Sequence, residues 1–141
     1  MKLIPTGIEN FKELIDKDYY YVDKTNLIVN IINEKVVLYT RPRRFGKTLN
    51  MSMLYYFFSI KEKKNSYLFN HLNISKNIDA LKHQNKYPTI FISLKDMKVP
   101  SMENQLLNFS SIIARLLDQF EDILDYDIFN DREKTLLSDY H

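Results

Sequence analysis

The chain has 141 residues, of which 45% are apolar and 27% charged, with 20 basic and 18 acidic side chains and no cysteine. This composition is typical of a globular domain, and it excludes a disordered tail, a collagen-like repeat and a disulfide-stapled secreted module. No apolar stretch reaches the roughly 18 residues of a membrane helix, and the first residues do not resemble a signal peptide, so we expect a single-domain cytoplasmic protein without a membrane partner.

The charge is distributed unevenly along the chain. Residues 1–100 carry 17 of the 20 basic side chains and 9 of the 18 acidic ones, whereas residues 101–141 are mainly acidic. The first part could therefore attract an anion, although an uneven surface without a specific partner explains the charge equally well.

Two short helices are predicted first, followed by a strand. Thr6 and Glu9 have the spacing of a capping box, and apolar residues at helical spacing continue to about Asp16. Asp23 is a candidate cap of a second helix, which extends to about residue 32. Residues 36–40 form a continuous apolar run of strand length, which is typical of a buried parallel strand.

Helices and strands also alternate in the rest of the chain. Residues 49–60 predict a mostly buried helix, in which Met51 and Met53 fill the core. Residues 89–94 predict a second buried strand, and residues 103–124 predict a long amphipathic helix. This order of elements predicts an α/β fold, in which a parallel sheet is flanked by helices.

The segment between the first strand and the third helix carries the chemistry. Residues 41–48, which we call the basic loop, have the sequence Arg-Pro-Arg-Arg-Phe-Gly-Lys-Thr. A phosphate-binding loop needs a strand, a tight turn whose N–H groups face inward, and a helix N-terminus aimed at the phosphates. Gly46 would allow close approach of the backbone, Lys47 would reach the outer phosphates, and the Thr48 hydroxyl would bind Mg²⁺.

Two residues depart from the strict glycine-rich pattern of such loops. Arg41 occupies the position of the first glycine, and Pro42 lacks an N–H that could face a nucleotide. From spacing alone, a basic turn between a packed strand and a packed helix is therefore an alternative interpretation.

Several strings carry a resemblance to a known family: Pro5-x-Gly7 followed by Phe11, Tyr-Tyr-Val-Asp-Lys-Thr at 20–25, the basic loop with Leu49, and residues 87–96. Through these strings, the segment from residue 3 to about residue 99 resembles the N-terminal part of proteins of the AAA-ATPase-like family. Its members are bacterial predicted ATPases, often fused to a C-terminal PD-(D/E)XK nuclease-like domain. Arginine at the first loop position is the family's own form of the loop. The resemblance implies a P-loop NTPase-like fold that binds ATP and Mg²⁺.

The loop supplies the candidate site residues. Lys47 is the candidate catalytic residue, because its charge would stabilise the transferring phosphoryl group, and Thr48 is the candidate metal ligand. Tyr20, Tyr21 and Phe45 are candidates for stacking on adenine, although aromatic residues at such spacing are more often part of a core. Arg43 and Arg44 would bind the γ-phosphate or a neighbouring subunit's nucleotide. Alternatively, they are solvated or pair with acidic side chains. The nucleotide-binding candidates are Arg41, Arg43, Arg44, Phe45, Gly46, Lys47, Thr48 and Leu49.

An ATPase of this type also needs an acidic strand, the Walker B strand, to hold magnesium. In the family this strand would follow the long helix, and the sequence shows none before His141. Asp96 could replace it, but a surface turn is the simpler interpretation. We therefore expect residues 1–141 to be the N-terminal portion of the domain, with an incomplete sheet, and to bind ATP without efficient hydrolysis.

Two further partners follow from these expectations. An incomplete sheet would leave an exposed edge, which predicts self-association. Alternatively, the chain is a non-enzymatic module whose arginine-rich loop contacts nucleic acid or another protein, with a vestigial nucleotide site.

Overall fold

The structure is a computed structural model, which describes residues 1–42, 46–94, 101–120 and 132. The chain divides into two compact units, Met1–Phe91 and Ile92–His141. The predictions made for Arg43, Arg44, Phe45 and Asp96 fall outside the described residues.

The described elements are helical. The first unit contains α1 (Phe11–Asp16), α2 (Asn26–Ile31), α3 (Lys47–Phe58), two 3-10 segments (Ile60–Phe69 and Asn73–Lys76) and α4 (Ile78–Leu81), and the second unit contains α5 (Met102–Phe120). The predicted helices are confirmed as α1, α2, α3 and α5 with shifted bounds.

The predicted parallel sheet is wrong for the part of the chain that the structure describes. Neither apolar run forms a strand there. Instead of being buried, Val36 and Leu38 are 88% and 86% exposed, and Ile90 is 61% exposed. The nearest approach to a ladder is an isolated parallel bridge between Ser59 and Tyr87. The α/β class is therefore replaced by a helical one.

There is a physical reason why the two apolar runs do not form strands. A buried parallel strand needs a neighbouring strand for its hydrogen bonds and helices over both faces, and an apolar sequence supplies neither by itself. Without a described partner, residues 36–40 and 89–94 remain irregular. Since self-association was predicted from an exposed sheet edge, that prediction loses its basis.

Asn10 and α3, rather than the predicted capping box, fix the start of α1. The cap is Asn10, whose Oδ1 accepts a hydrogen bond from the Glu13 N–H at 3.1 Å. Ser52 of α3 accepts a hydrogen bond from the Phe11 N–H at 3.0 Å. Two of the free N–H groups at this helix end are thereby satisfied, and α1 is attached to α3.

An aromatic cluster forms the centre of the first unit. Phe69 stacks on Phe11 with ring centroids 5.1 Å apart, and it meets Phe57 edge-on at 5.2 Å. Met53 is fully buried beside them, as predicted, whereas Met51 is 46% exposed and is not a core residue. The buried apolar residues of this unit are Phe11, Leu14, Ile28, Met53, Phe57, Leu68, Phe69, Ile74 and Ala80.

Asp23 connects the start of α2 to the second 3-10 segment. Its Oδ1 accepts hydrogen bonds from the N–H and the hydroxyl of Thr25 at 2.9 and 2.6 Å, and its Oδ2 accepts one from the Asn73 N–H at 2.7 Å. Partial burial raises the pKa of the Asp23 carboxyl, but these hydrogen bonds outweigh burial and leave the pKa below its ordinary value. The N-cap residue of α2 is Thr25, not Asp23 as predicted, and Asp23 instead joins two distant segments.

We expect Asp23→Ala to lower the free energy of unfolding by about 2 kcal/mol at pH 7, because the buried Thr25 hydroxyl and the Asn73 N–H lose a charged acceptor. Since the folded state lowers the Asp23 pKa, this contribution is present above the unfolded pKa of about 4 and is lost as pH falls. Urea denaturation should therefore show that the free energies of unfolding of Asp23→Ala and the wild type differ less at pH 3 than at pH 7.

The control for Asp23→Ala is Asp79→Ala. Asp79 is 89% exposed and pairs with Lys82 on the surface, so its removal should change stability little. Equal midpoints for the two variants at pH 7 would show that Asp23 is not a structural link.

Candidate functional site

A left-handed glycine starts α3. Gly46 has φ of 72° and ψ of 25°, a conformation that favours glycine, and its carbonyl accepts the N–H of Asn50 at 2.9 Å. Apart from the two neighbouring residues of the chain, no atom of the described residues lies within 4 Å of the position that a Cβ would occupy. The backbone conformation, not lack of space, is therefore what favours glycine at this position.

The first turn of α3 presents free backbone donors. The N–H groups of Lys47, Thr48 and Leu49 have no acceptor within the helix, and none of the side chains that the structure describes caps them. The start of α1, by contrast, is capped by Asn10. Free N–H groups and the positive end of the helix dipole coincide at this end of α3, which is the arrangement that binds anions.

The side chains around this helix end differ in exposure. Lys47 is exposed and forms no ion pair with any residue that the structure describes, while Thr48 is partly buried. Leu49 packs against the core cluster, so it anchors the start of the helix. The Arg41 guanidinium lies 5.7 Å from the centre of the Tyr39 ring. Four candidate residues therefore lie together at the N-terminal end of α3: Gly46, Lys47, Thr48 and Leu49.

Asn50 is a polar residue that the sequence analysis missed. Its side chain is 2% exposed, and its buried Nδ2 atom has no hydrogen-bond acceptor among the described residues. Helical spacing places it on one face with Met53 and Phe57, both fully buried. The signal that could have revealed it is this single carboxamide in an otherwise apolar helix face directly after the basic loop.

Tyr21 is not free to stack on adenine. Its ring meets Phe11 edge-on at 5.7 Å, and its hydroxyl accepts the Lys24 N–H at 3.2 Å and contacts the Met53 sulfur. Burial raises the pKa of Tyr21 to about 12. Tyr21 is therefore a core residue, whereas Tyr20 is 58% exposed.

The described parts of the chain contain neither a cluster of metal-binding side chains nor a membrane-spanning helix. No group of three histidine or acidic side chains there is placed to hold a metal ion. None of the helices in those parts combines the length and the apolar character that a membrane span requires.

Comparison with known proteins places the loop in a family. The family model described as Predicted AAA-ATPase matches residues 5–139. The chain belongs to this predicted AAA-ATPase family. The matched residues include the whole basic loop and α3, so the left-handed glycine and the free first turn lie within the family domain.

A relative of this predicted AAA-ATPase is a protein of Azotobacter chroococcum mcd 1, described as an uncharacterized protein in the vnfD 5' region. It is 42% identical over 55 residues, which cover 38% of this chain and 11% of that protein. The match therefore concerns a small part of a much longer relative. No solved structure gives a significant match.

Proposed function

We propose that this chain binds ATP with Mg²⁺ at the start of α3. The observation that carries the proposal is the uncapped first turn of α3, where left-handed Gly46 is followed by an exposed lysine and a threonine. Membership of the predicted AAA-ATPase family supports a nucleotide, rather than an arbitrary anion, as the ligand.

Most residues of the loop have a role in this proposal. The N–H groups of the first turn would donate to phosphate oxygens, and the Lys47 ammonium would bind the outer phosphates. Arg41, with Arg43 and Arg44, would add positive charge around the triphosphate. Thr48 would hold Mg²⁺ through its hydroxyl, and Mg²⁺ when bound neutralises phosphate charge. Phe45 would stack on the adenine ring.

We propose binding without efficient hydrolysis by this chain. Hydrolysis in P-loop ATPases uses an acidic residue on the metal and a group that positions the attacking water. Because the described residues contain no cluster of metal-binding side chains, Mg²⁺ would depend on Thr48, phosphate oxygens and water. Lys47 would act as a catalytic residue where those further groups are supplied.

Titration of MgATP into the wild-type chain and Lys47→Ala tests the proposal. We expect saturable binding to the wild type and a loss of affinity of about 10- to 100-fold in the variant, because a charge-assisted contact to phosphate is removed. Isothermal titration calorimetry at constant salt measures both affinities.

The matched control removes the same charge elsewhere. Lys64 is an exposed lysine of the first 3-10 segment, so Lys64→Ala should bind MgATP like the wild type. Absence of saturable binding to the wild type, or equal affinity of Lys47→Ala, would contradict the proposal. Salt-sensitive DNA binding that is indifferent to ATP would instead support the non-enzymatic alternative.

A further inference from the structure

A cavity of about 580 Å³ lies where α2 and α3 end. Its lining includes Ile31, the last residue of α2, and Phe58, the last residue of α3. All the residues that line it are described by the structure and belong to the Met1–Phe91 unit. Its volume is within the range of about 300–1,000 Å³ that is typical of small-molecule sites.

This cavity is separate from the start of α3. Lys47 and Phe58 are the first and last residues of that helix, so a rise of about 1.5 Å per residue places them roughly 16 Å apart along its axis. The cavity is therefore a second site, and its occupation does not require MgATP at the start of α3.

Hydrogen bonds hold one wall of the cavity in place. The Tyr87 N–H donates to the Phe58 carbonyl at 3.0 Å, and the Tyr87 carbonyl accepts the Ile60 N–H at 2.8 Å. The Thr89 hydroxyl donates to the same carbonyl at 3.1 Å. Because these bonds join the segment to the end of α3, the wall is formed without a ligand, which lowers the entropic cost of binding.

The same wall presents three neighbouring rings. The Tyr87 ring lies 6.2 Å from the Phe58 ring and stacks on the His83 ring, with centroids 5.9 Å apart and an interplanar angle of 15°. A hydrogen bond of 2.5 Å between the Tyr87 hydroxyl and His83 Nδ1 fixes these two rings relative to each other. Pro88 and Ile32 add apolar surface to the lining. Such a surface favours a ligand that itself carries an aromatic ring.

An acidic and a basic residue also line the cavity. Glu34 and Lys35 follow directly after α2, and both are exposed. Neither forms an ion pair with a residue that the structure describes. Two opposite charges beside an aromatic wall complement a small molecule that combines an ammonium group, a carboxylate and a ring.

We propose that this cavity binds a free aromatic amino acid. Glu34 binds the ammonium group of the ligand, Lys35 binds its carboxylate, and the ring of the ligand packs against Phe58 and Tyr87. A residue at a peptide terminus has only one of the two charges, so the free amino acid is the ligand that pairs with both side chains.

L-tryptophan is the probe for the first test. The chain contains no tryptophan, so indole emission comes from the ligand alone. We expect a saturable change in this emission, with tryptophanamide and N-acetyltryptophan binding about tenfold more weakly because each lacks one charged contact. The two analogues represent the N-terminal and C-terminal residues of a peptide. Equal affinity for either analogue, or no saturable binding of tryptophan, would overturn the proposal.

Substitutions test the two charged side chains. Glu34→Gln and Lys35→Gln should each weaken tryptophan binding about tenfold. Glu34→Gln should also bind N-acetyltryptophan as well as tryptophan, because the ammonium group has lost its partner. Glu103→Gln and Lys64→Gln are the matched controls, since they make the same changes at exposed positions outside the cavity. If the Glu34 and Lys35 variants bind like these controls, the two assigned contacts are wrong.

Isoleucine methyl signals in NMR spectra locate the bound ligand. The ring current of the indole should shift the signals of Ile31, Ile32 and Ile90, which line the cavity, and leave that of Ile78 unchanged. Single Ile→Val substitutions assign these signals. Saturable binding without these shifts would place tryptophan elsewhere and overturn the site. Lys47→Ala should bind tryptophan like the wild type, so failure of the nucleotide site and failure of this cavity are observed separately.

Discussion

Phe69→Ala is expected to lower the free energy of unfolding of the Met1–Phe91 unit by about 4 kcal/mol. Phe69 is 1% exposed, and its ring contacts both Phe11 of α1 and Phe57 of α3. Truncation to alanine removes the buried ring and both aromatic contacts, and it leaves a cavity where three elements meet. Because domains are stable by about 5–15 kcal/mol, this single change removes a large share of the total.

Urea denaturation followed by circular dichroism at 222 nm measures the effect, since the chain contains no tryptophan for fluorescence. Phe69→Leu keeps most of the apolar volume and should cost about 1–2 kcal/mol, so it gives a measurable transition even if the alanine variant does not fold. Phe109→Ala is the control, because Phe109 of α5 is 43% exposed. Similar losses for Phe69→Ala and Phe109→Ala would show that the aromatic cluster does not stabilise the fold.

The helices could be predicted from the sequence because the signal is local. Apolar residues recur at helical spacing along α1 and α5, and this spacing alone predicts a helix. The spacing does not show what covers the helix, since Leu106 and Leu107 of α5 are 60% and 68% exposed. The bounds were less predictable, since α3 was expected over residues 49–60 and extends from Lys47 to Phe58. Its start depends on the left-handed Gly46, and at its end Ser59 adopts an extended backbone conformation.

The strands could not be predicted in the same way. A continuous apolar run shows that a segment is apolar, but a strand forms only if another segment provides hydrogen-bond partners. In the described residues such pairing is limited to Ser59 and Tyr87, and Leu38 in the middle of the first run is 86% exposed. The predicted sheet therefore depended on neighbouring strands, which the apolar pattern of a single segment cannot reveal.

Part of the candidate site could likewise be predicted from the sequence, and part could not. Gly46, Lys47 and Thr48 are consecutive, so their position at one helix end follows from the sequence once the helix is predicted. Whether a buried side chain finds a partner depends on packing, so the Asn50 amide, which has no partner among the described residues, became visible only in the structure. The hydrogen bond between Asp23 and Asn73 joins residues 50 positions apart and gave no local signal either.

Asn85 is a second buried polar residue whose importance the sequence did not reveal. It is 4% exposed and has a left-handed backbone with φ of 53°. Its N–H donates to the Phe57 carbonyl at 2.7 Å, and its Nδ2 donates to the carbonyls of Tyr56 and Ser59 at 3.0 and 2.8 Å. These bonds satisfy carbonyls at the end of α3, for which the helix itself provides no N–H donor.

We expect Asn85→Asp to lower the free energy of unfolding by about 3 kcal/mol or more at pH 7. The change keeps the size of the side chain but replaces its two-hydrogen donor with a carboxylate that faces carbonyl oxygens at the negative end of the helix dipole. Burial and these oxygens raise the pKa of the introduced carboxyl in the folded state above its unfolded value of about 4. Folding therefore favours the protonated form, and stability should increase as pH falls from 7 toward 4.

Urea denaturation across pH 4 to 7 measures this dependence. Asn85→Gly tolerates the left-handed backbone but lacks the amide, so it should be less stable than the wild type without the additional gain on acidification. Asn33→Asp makes the same chemical change at an exposed position, where we expect a small effect on stability. If Asn85→Asp shows the same stability at pH 7 as Asn33→Asp, the amide of Asn85 does not hold the end of α3. If its loss is large but does not respond to pH, the cause is packing rather than the charge of the carboxylate.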